Sequence, residues 1–176
     1  MTDLTTERLI LRQWRDADLD PWAAMNADAE VREYFPEILT REQSAGSLAH
    51  FRDSIAERGW GFWAVEIIAT GEFIGMAGLD PVDEEMPFTG VEIGWRLARP
   101  AWGHGYATEA ARAVLDYGFG SLGLTEILAI TATGNVRSQA VMRRLGMTRD
   151  PADDFDDPTV EPGPLRSSVL FRLSAL

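Results

Sequence analysis

PAWGHGYATEA, residues 100–110, sets two glycines, Gly103 and Gly105, one residue apart in front of a helical run. A helix N-terminus leaves backbone N–H groups unpaired and carries partial positive charge. Glycines ahead of it let those amides approach a phosphate closely. The stretch therefore reads as a candidate pyrophosphate cradle. Two familiar cradles do not match it. The P-loop string G-x-x-x-x-G-K-[ST] is absent, and the dinucleotide fingerprint G-x-G-x-x-G fails because Thr108 stands at the third glycine. A G-x-S-x-G nucleophile elbow is absent too.

Working outward, GVEIGWRL (90–97) precedes the cradle as a strand. The helix after it places Ala107, Ala110, Ala111, Val114, Leu115 and Gly118 on one face and Thr108, Glu109, Arg112 and Asp116 on the other. TEILAIT (125–131) is a further strand. NVRSQAVMRRLG (135–146) is a short helix that Asn135 caps and Gly146 ends. Upstream, WGFWAVEIIATGEFIGMAGLD (60–80) is a hairpin about Thr70 and Gly71. TREQSAGSLAHFRDSIAERG (40–59) is a helix capped by Thr40 and stopped by Gly59. DADLDPWAAMNADAEVREYF (16–35) has helical spacing at Leu19, Trp22, Ala23 and Asn26, and RLILRQW (8–14) is a first strand. MTRDP (147–151) and SVLFRLS (168–174) close the fold around an acidic, proline-rich loop. Early hairpins followed by β-α-β-α predict an α+β fold with one mixed sheet.

Composition narrows the chemistry. The chain has 176 residues, 45% of them hydrophobic, enough for one domain over 1–176 with a real core. It has no cysteine and only His50 and His104, so thiolate chemistry is excluded and no metal site is expected. The formal net charge of −12 disfavours nucleic acid; it serves solubility, or else attracts cationic partners such as amines. Much of the acid sits in VDEEMP (82–87) and DPADDFDDP (150–158). No apolar run reaches the length of a membrane span, and MTDLTTERL is no signal peptide, so no membrane partner and a cytoplasmic location are expected.

VEIGWRLARPAWGHGYATEAARAVLDYGF (91–119) followed by NVRSQAVMRRLGM (135–147) resembles the GNAT superfamily of N-acetyltransferases. Within it the sequence looks most like the RimJ/RimL branch, which acts on ribosomal-protein N-termini. The resemblance implies a single mixed, mostly antiparallel sheet of about six to seven strands, splayed at its centre and flanked by about four helices. It implies acetyl-CoA as co-substrate. The family's diphosphate loop falls on Trp102, Gly103, His104, Gly105, Tyr106 and Ala107, with the Thr108 amide completing the cradle. Trp102 departs from the usual Arg or Gln. Backbone groups of Trp95, Arg96 and Leu97 are then expected to bind the pantetheine arm. An N–H near Trp95 would polarise the thioester, and Asn135 and Ser138 would meet the arm from the other side.

The resemblance makes Glu92 the candidate general base; otherwise it is a solvated strand glutamate. An α-amine needs to lose its proton only about 1 unit below its pKa, whereas a lysine amine needs about 3.4 units. A glutamate acting through water suits the former. The family's tyrosine acid, counted seven on from Asn135, falls on Met142, which donates no proton. The role is vacant or passes to Ser138 or water. Trp60, Phe62 and Trp63 are acceptor-pocket or core aromatics. Arg143 and Arg144 are candidates for the coenzyme's 3′-phosphate, one of them being surface. Asp156, Asp157, Ser167 and Ser168 replace histidines of relatives. The expected activity is acetyl transfer to a primary amine by direct attack, as a monomer or homodimer. The acceptor is a protein N-terminus, a basic one in particular, or else a small amine, polyamine or antibiotic. A coenzyme-binding sensor without turnover is the reading from another class.

Overall fold

The structure is a computed structural model that describes residues 3–175. In chain order its elements are β1 (Leu4–Thr5), β2 (Leu9–Arg12), α1 (Leu19–Asn26), α2 (Arg41–Arg58), β3 (Phe62–Ile67), β4 (Glu72–Pro81), β5 (Val91–Leu97), α3 (Tyr106–Gly120), β6 (Glu126–Ala132), α4 (Val136–Arg144), β7 (Thr148–Arg149), β8 (Phe155–Asp156) and β9 (Ser167–Ser174). The sheet has nine strands in the order β1-β2-β3-β4-β5-β6-β9-β7, with β8 also on β9. The sequence led to six or seven. The excess over seven comes from β1 and β8, two-residue strands too short to carry a periodic signal, whereas β7 lies within MTRDP, read as a closing strand. The four helices match expectation, but α1 stops at Asn26, and residues 27–38 form turns and irregular chain instead of more helix.

Local chemistry explains the helix ends. Thr40 accepts from the Gln43 N–H while the Gln43 side chain accepts from the Thr40 N–H, a reciprocal cap for α2. Gly59 closes that helix with φ 82°, a conformation costly for any residue with a Cβ. Alternation along β3 places the two helical layers. Phe62 stacks edge-on against Phe51 of α2, whereas Trp63 meets Tyr117 of α3, so α2 and α3 cover opposite faces. On the α3 side, Ala110, Ala111, Val114 and Gly118 are buried as the periodicity predicted. A Cβ on Gly118 would lie 2.7 Å from Ile127 Cδ1, so the bare glycine lets helix and sheet touch.

Along its centre the sheet changes character. Every other neighbouring pair is antiparallel, but β5 and β6 are parallel and register only at Glu92 opposite Leu128. Beyond that point the two strands diverge. Both then lead into helix N-termini, β5 through residues 98–105 into α3 and β6 through 133–135 into α4. Two diverging parallel strands therefore open a cleft at their carboxyl ends, where helix dipoles also converge. No helix among the described residues is long and apolar enough to cross a membrane.

Candidate active site

A cleft of about 1390 Å³ occupies this split. It is lined by Glu92, Trp95, Arg96, Leu97, Trp102, Gly103, Gly105, Tyr106, Ala107, Thr108, Asn135, Ser138 and Met142. His104, of the expected diphosphate loop, stays off the cleft wall. Its ring stacks on Tyr106 and its carbonyl accepts from Arg8 Nη1 at 3.0 Å.

The loop 98–105 has a conformation only glycine adopts easily at two points. Gly103 and Gly105 both have φ 81°. A Cβ on Gly103 would meet nothing within 4 Å, and one on Gly105 only Arg8 Nη2 at 3.5 Å, so the space before the helix is open. Gly105 is the N-cap of α3 and offers no side-chain cap, which leaves the first-turn amides facing the cleft uncapped. Trp102 anchors this loop. Its indole N–H donates to the Leu97 carbonyl at 2.8 Å, and its ring lies between the guanidiniums of Arg99 and Arg137, at 4.8 and 4.6 Å.

Glu109 is more than an acid matched to the helix dipole. It accepts from Thr6 Oγ1 at 2.6 Å, from the Arg8 N–H at 2.9 Å and from Arg8 Nε at 2.7 Å. Partial burial raises its pKa, but these bonds outweigh it and hold the carboxyl below its ordinary value. The chain before β2 is thereby tied to the first turn of α3. Arg8 and Thr6 escaped the sequence reading because their partner lies about a hundred residues away and no local pattern marks them.

Across the split, Asn135 caps α4. Its Oδ1 accepts from the Ser138 N–H at 3.1 Å and its Nδ2 donates to Thr131 Oγ1 at 3.0 Å. Met142 is 2% exposed and belongs to the core, with one flank on the cleft. Arg144 borders the cleft, while Arg143 bonds Gln139 and stacks on Phe171.

Strand alternation gives β5 two functions. Glu92, Gly94 and Arg96 face α1 and α2, and Ile93, Trp95 and Leu97 face α3. A Cβ on Gly94 would sit 2.9 Å from the Phe62 ring, so this aromatic lies directly against the strand between Glu92 and Arg96. Phe62 borders the cleft, but Trp63 is wholly buried core and Trp60 packs under Arg58. Glu92 is half-buried. Burial first, then the charges of Asp80, Asp157 and Asp83, push its carboxyl up to about 7. Asp80 is its register partner on β4 and is itself paired with Arg58 at 2.5 Å. Asp157 comes from the acidic loop, whose Phe155 packs edge-on against Phe88 of the β4–β5 loop. Asp157 thus bears on Glu92 through its charge, whereas Ser168 is buried and Ser167 bonds Thr133.

Residues 8–148 match the family model described as an acetyltransferase (GNAT) domain. The chain is a GNAT acetyltransferase. YkkB of Bacillus subtilis is 36% identical over 149 residues, 83% of this chain and 85% of that one. Among solved structures, an acetyltransferase from Agrobacterium tumefaciens superposes with TM-score 0.81 at 27% identity, over 99% of this chain and 95% of that one. RimL, a ribosomal L7/L12 alpha-N-protein acetyltransferase solved in complex with coenzyme A, has the same fold. Its TM-score is 0.77 at 12% identity, over 98% of each chain. The GNAT assignment makes the protein an acyltransferase enzyme and gives the splayed sheet its meaning. The split between β5 and β6 is a fold feature that the RimJ/RimL-like expectation had anticipated.

Proposed function

We propose that the chain transfers acetyl from acetyl-CoA to a primary amine, by direct attack and without an acyl-enzyme. The observation that carries this reading is the meeting of two features in one cleft: the uncapped N-terminus of α3 behind two positive-φ glycines, and Glu92 at the point where β5 and β6 part. The RimL complex, alike in fold, supports coenzyme A as the occupant. The cleft fits such a group, because the cradle has room at Gly103 and Gly105 and amides without a cap.

In this reading the amides of residues 103–108 hold the diphosphate. The edge of β5 at Trp95, Arg96 and Leu97, unpaired where β6 departs, takes the pantetheine arm, with Asn135 and Ser138 opposite. The bound donor supplies a thioester carbonyl open to nitrogen. Asp80, Asp83 and Asp157 draw a cationic amine to the mouth, and Glu92 removes its proton directly or through water. With Met142 in the core, the thiol leaves as an anion, which a pKa of about 8.5 permits near neutral pH. An α-amine, such as a protein N-terminus, suits a carboxylate titrating near 7 better than a lysine amine does.

The test is thiol release from acetyl-CoA, with mass detection of product, across peptide α-amines, lysine side-chain analogues, spermidine and an aminoglycoside. Peptide α-amines are expected to turn over fastest. Release no higher than without acceptor for every amine overturns the reading. Gly105→Val puts a β-branched residue at φ 81°, a strain of about 1–2 kcal/mol or more. Coenzyme affinity by calorimetry is expected to fall about tenfold, a strain of that size being worth a factor of ten. An unchanged affinity counts against the cradle.

A further inference from the structure

On the face of β5 that carries Glu92, the cleft wall ends in a cation without a counter-ion. Arg96 lines the cleft between two aromatic rings, 4.2 Å from Phe35 and 5.4 Å from Trp22. Its Nη1 donates to Asn26 Oδ1 at 3.0 Å, and its Nε–H is buried with no partner. Asn26 is fixed for this purpose. It is fully buried, and its Nδ2 donates to Ser44 Oγ at 3.3 Å, which turns the carbonyl oxygen to the guanidinium.

No carboxylate of the described residues pairs with Arg96. Burial first, then the charge of Arg32, lower its pKa to about 9, so it remains charged at neutral pH. Arg32 is buried as well and stacks on the same Phe35 ring at 4.4 Å. Two guanidiniums thus stand on one aromatic. Buried charges in folded proteins are ordinarily paired, and an unpaired one is costly. The arginines at the rim, although half exposed, are paired: Arg99 binds Glu30 and Arg137 binds Glu33. Among the described residues neither Arg32, whose Nε–H donates to the Glu37 carbonyl, nor Arg96 has an ion pair, and of the two it is Arg96 that borders the cleft and keeps an N–H without a partner.

We propose that Arg96 receives a carboxylate carried by the acceptor amine. Glu92 and Arg96 are four residues apart on one strand face, about 13 Å at strand rise, with Gly94 and the Phe62 ring between them. An acceptor lying along this face directs its amine toward the acidic end and its carboxylate toward Arg96. The inference rests on the proposed amine acetylation and narrows its acceptor. A polyamine, which has no anion to offer, is disfavoured by the two guanidiniums. The carboxylate has two sources, a free amino acid or an acidic side chain near a peptide N-terminus.

Matched acceptors separate these. Leucine is compared with leucinamide, and the blocked tripeptide Ala-Glu-Ala-amide with Ala-Gln-Ala-amide. The wild type is expected to prefer the acid of one pair by about 10- to 100-fold in kcat/KM, the worth of a charge-assisted hydrogen bond. The pair that discriminates names the source. Arg96→Gln is expected to abolish the preference, and Arg96→Lys to keep part of it, since the charge remains and the fork is lost. Equal rates on acid and amide in both pairs overturn the proposal. The wild-type comparison decides this even where a variant fails to fold. If no amine turns over, binding answers separately: Trp fluorescence is titrated with N-acetylleucine and its amide in the presence of coenzyme A. Selective binding of the acid sustains the carboxylate site while the acetyl-transfer reading fails. Binding of neither, or of both alike, overturns it.

Discussion

Glu92→Gln is expected to lower kcat by about 10²–10⁴, the usual contribution of a positioned general base, while leaving coenzyme affinity unchanged. The substitution keeps the side chain's shape and removes its ability to take a proton. In the parent, kcat/KM is expected to rise through pH about 7, because the carboxylate must be ionised to act and its pKa is lifted to about 7. A second rise near pH 8 belongs to the acceptor when that is an α-amine. The variant keeps the second rise and loses the first. A variant with the parent's rate and the parent's first inflection removes Glu92 from the mechanism.

The same residue is readable without turnover. Its carboxyl holds a proton more tightly folded than unfolded, where it titrates near 4.5. The folded chain therefore binds the extra proton between pH 4.5 and 7, and stability contributed below that window is lost as pH rises through it. Above pH 7 the Gln variant, which never bears the buried charge, is expected to be more stable than the parent by about 1–3 kcal/mol. Denaturant melts at pH 5 and pH 8 measure this. A gain that is the same at both pH values contradicts the desolvated carboxylate.

Asp18→Ala is the substitution expected to damage the fold most, by about 3–5 kcal/mol. Arg12 of β2 grips Asp18 with two hydrogen bonds of 2.8 Å each, both side chains being 4% exposed, and reaches Glu66 of β3 at 2.7 Å. Removing Asp18 deprives a buried guanidinium of its bidentate partner. It also deprives the Arg15 N–H of an acceptor at 2.8 Å. Replacing both partners, Arg12→Met with Asp18→Leu, is expected to cost less than Asp18→Ala alone. No buried cation is then left behind, and Glu66 retains Arg15 at 3.0 Å. Urea midpoints order the three proteins. A double variant as unstable as the single one means that packing, not charge, holds this corner.

How much was legible follows from the range of each interaction. The caps at Thr40 and Asn135 and the stops at Gly59 and Gly146 act within a few residues, and the sequence placed them correctly. The buried stripe of α3 repeats every turn and was equally plain. Residues 27–35 misled, because helical spacing after Asn26 continues on paper. In the fold α1 ends at Asn26, and the guanidiniums of Arg32 and Arg96 both stack on Phe35. As a hairpin aromatic Trp63 reads as core more readily than as pocket, but the sequence leaves both open. Only strand parity, fixed by the pairing of β3 with β4, sends it to Tyr117 and sends Phe62 to the cleft.

By sequence alone, the resemblance carried by residues 91–119 and 135–147 gave the family, and the paired glycines before a helix suggested the proposed cradle, because backbone conformation and helix polarity are local properties. Tertiary structure decided what the cleft does with charge. It gathered Asp80, Asp83 and Asp157 around Glu92, tied Glu109 to Arg8, and left Arg96 without an acid. Those outcomes depend on burial and on neighbours brought from distant parts of the chain, and a charge's pKa is set by these surroundings rather than by its place in the sequence.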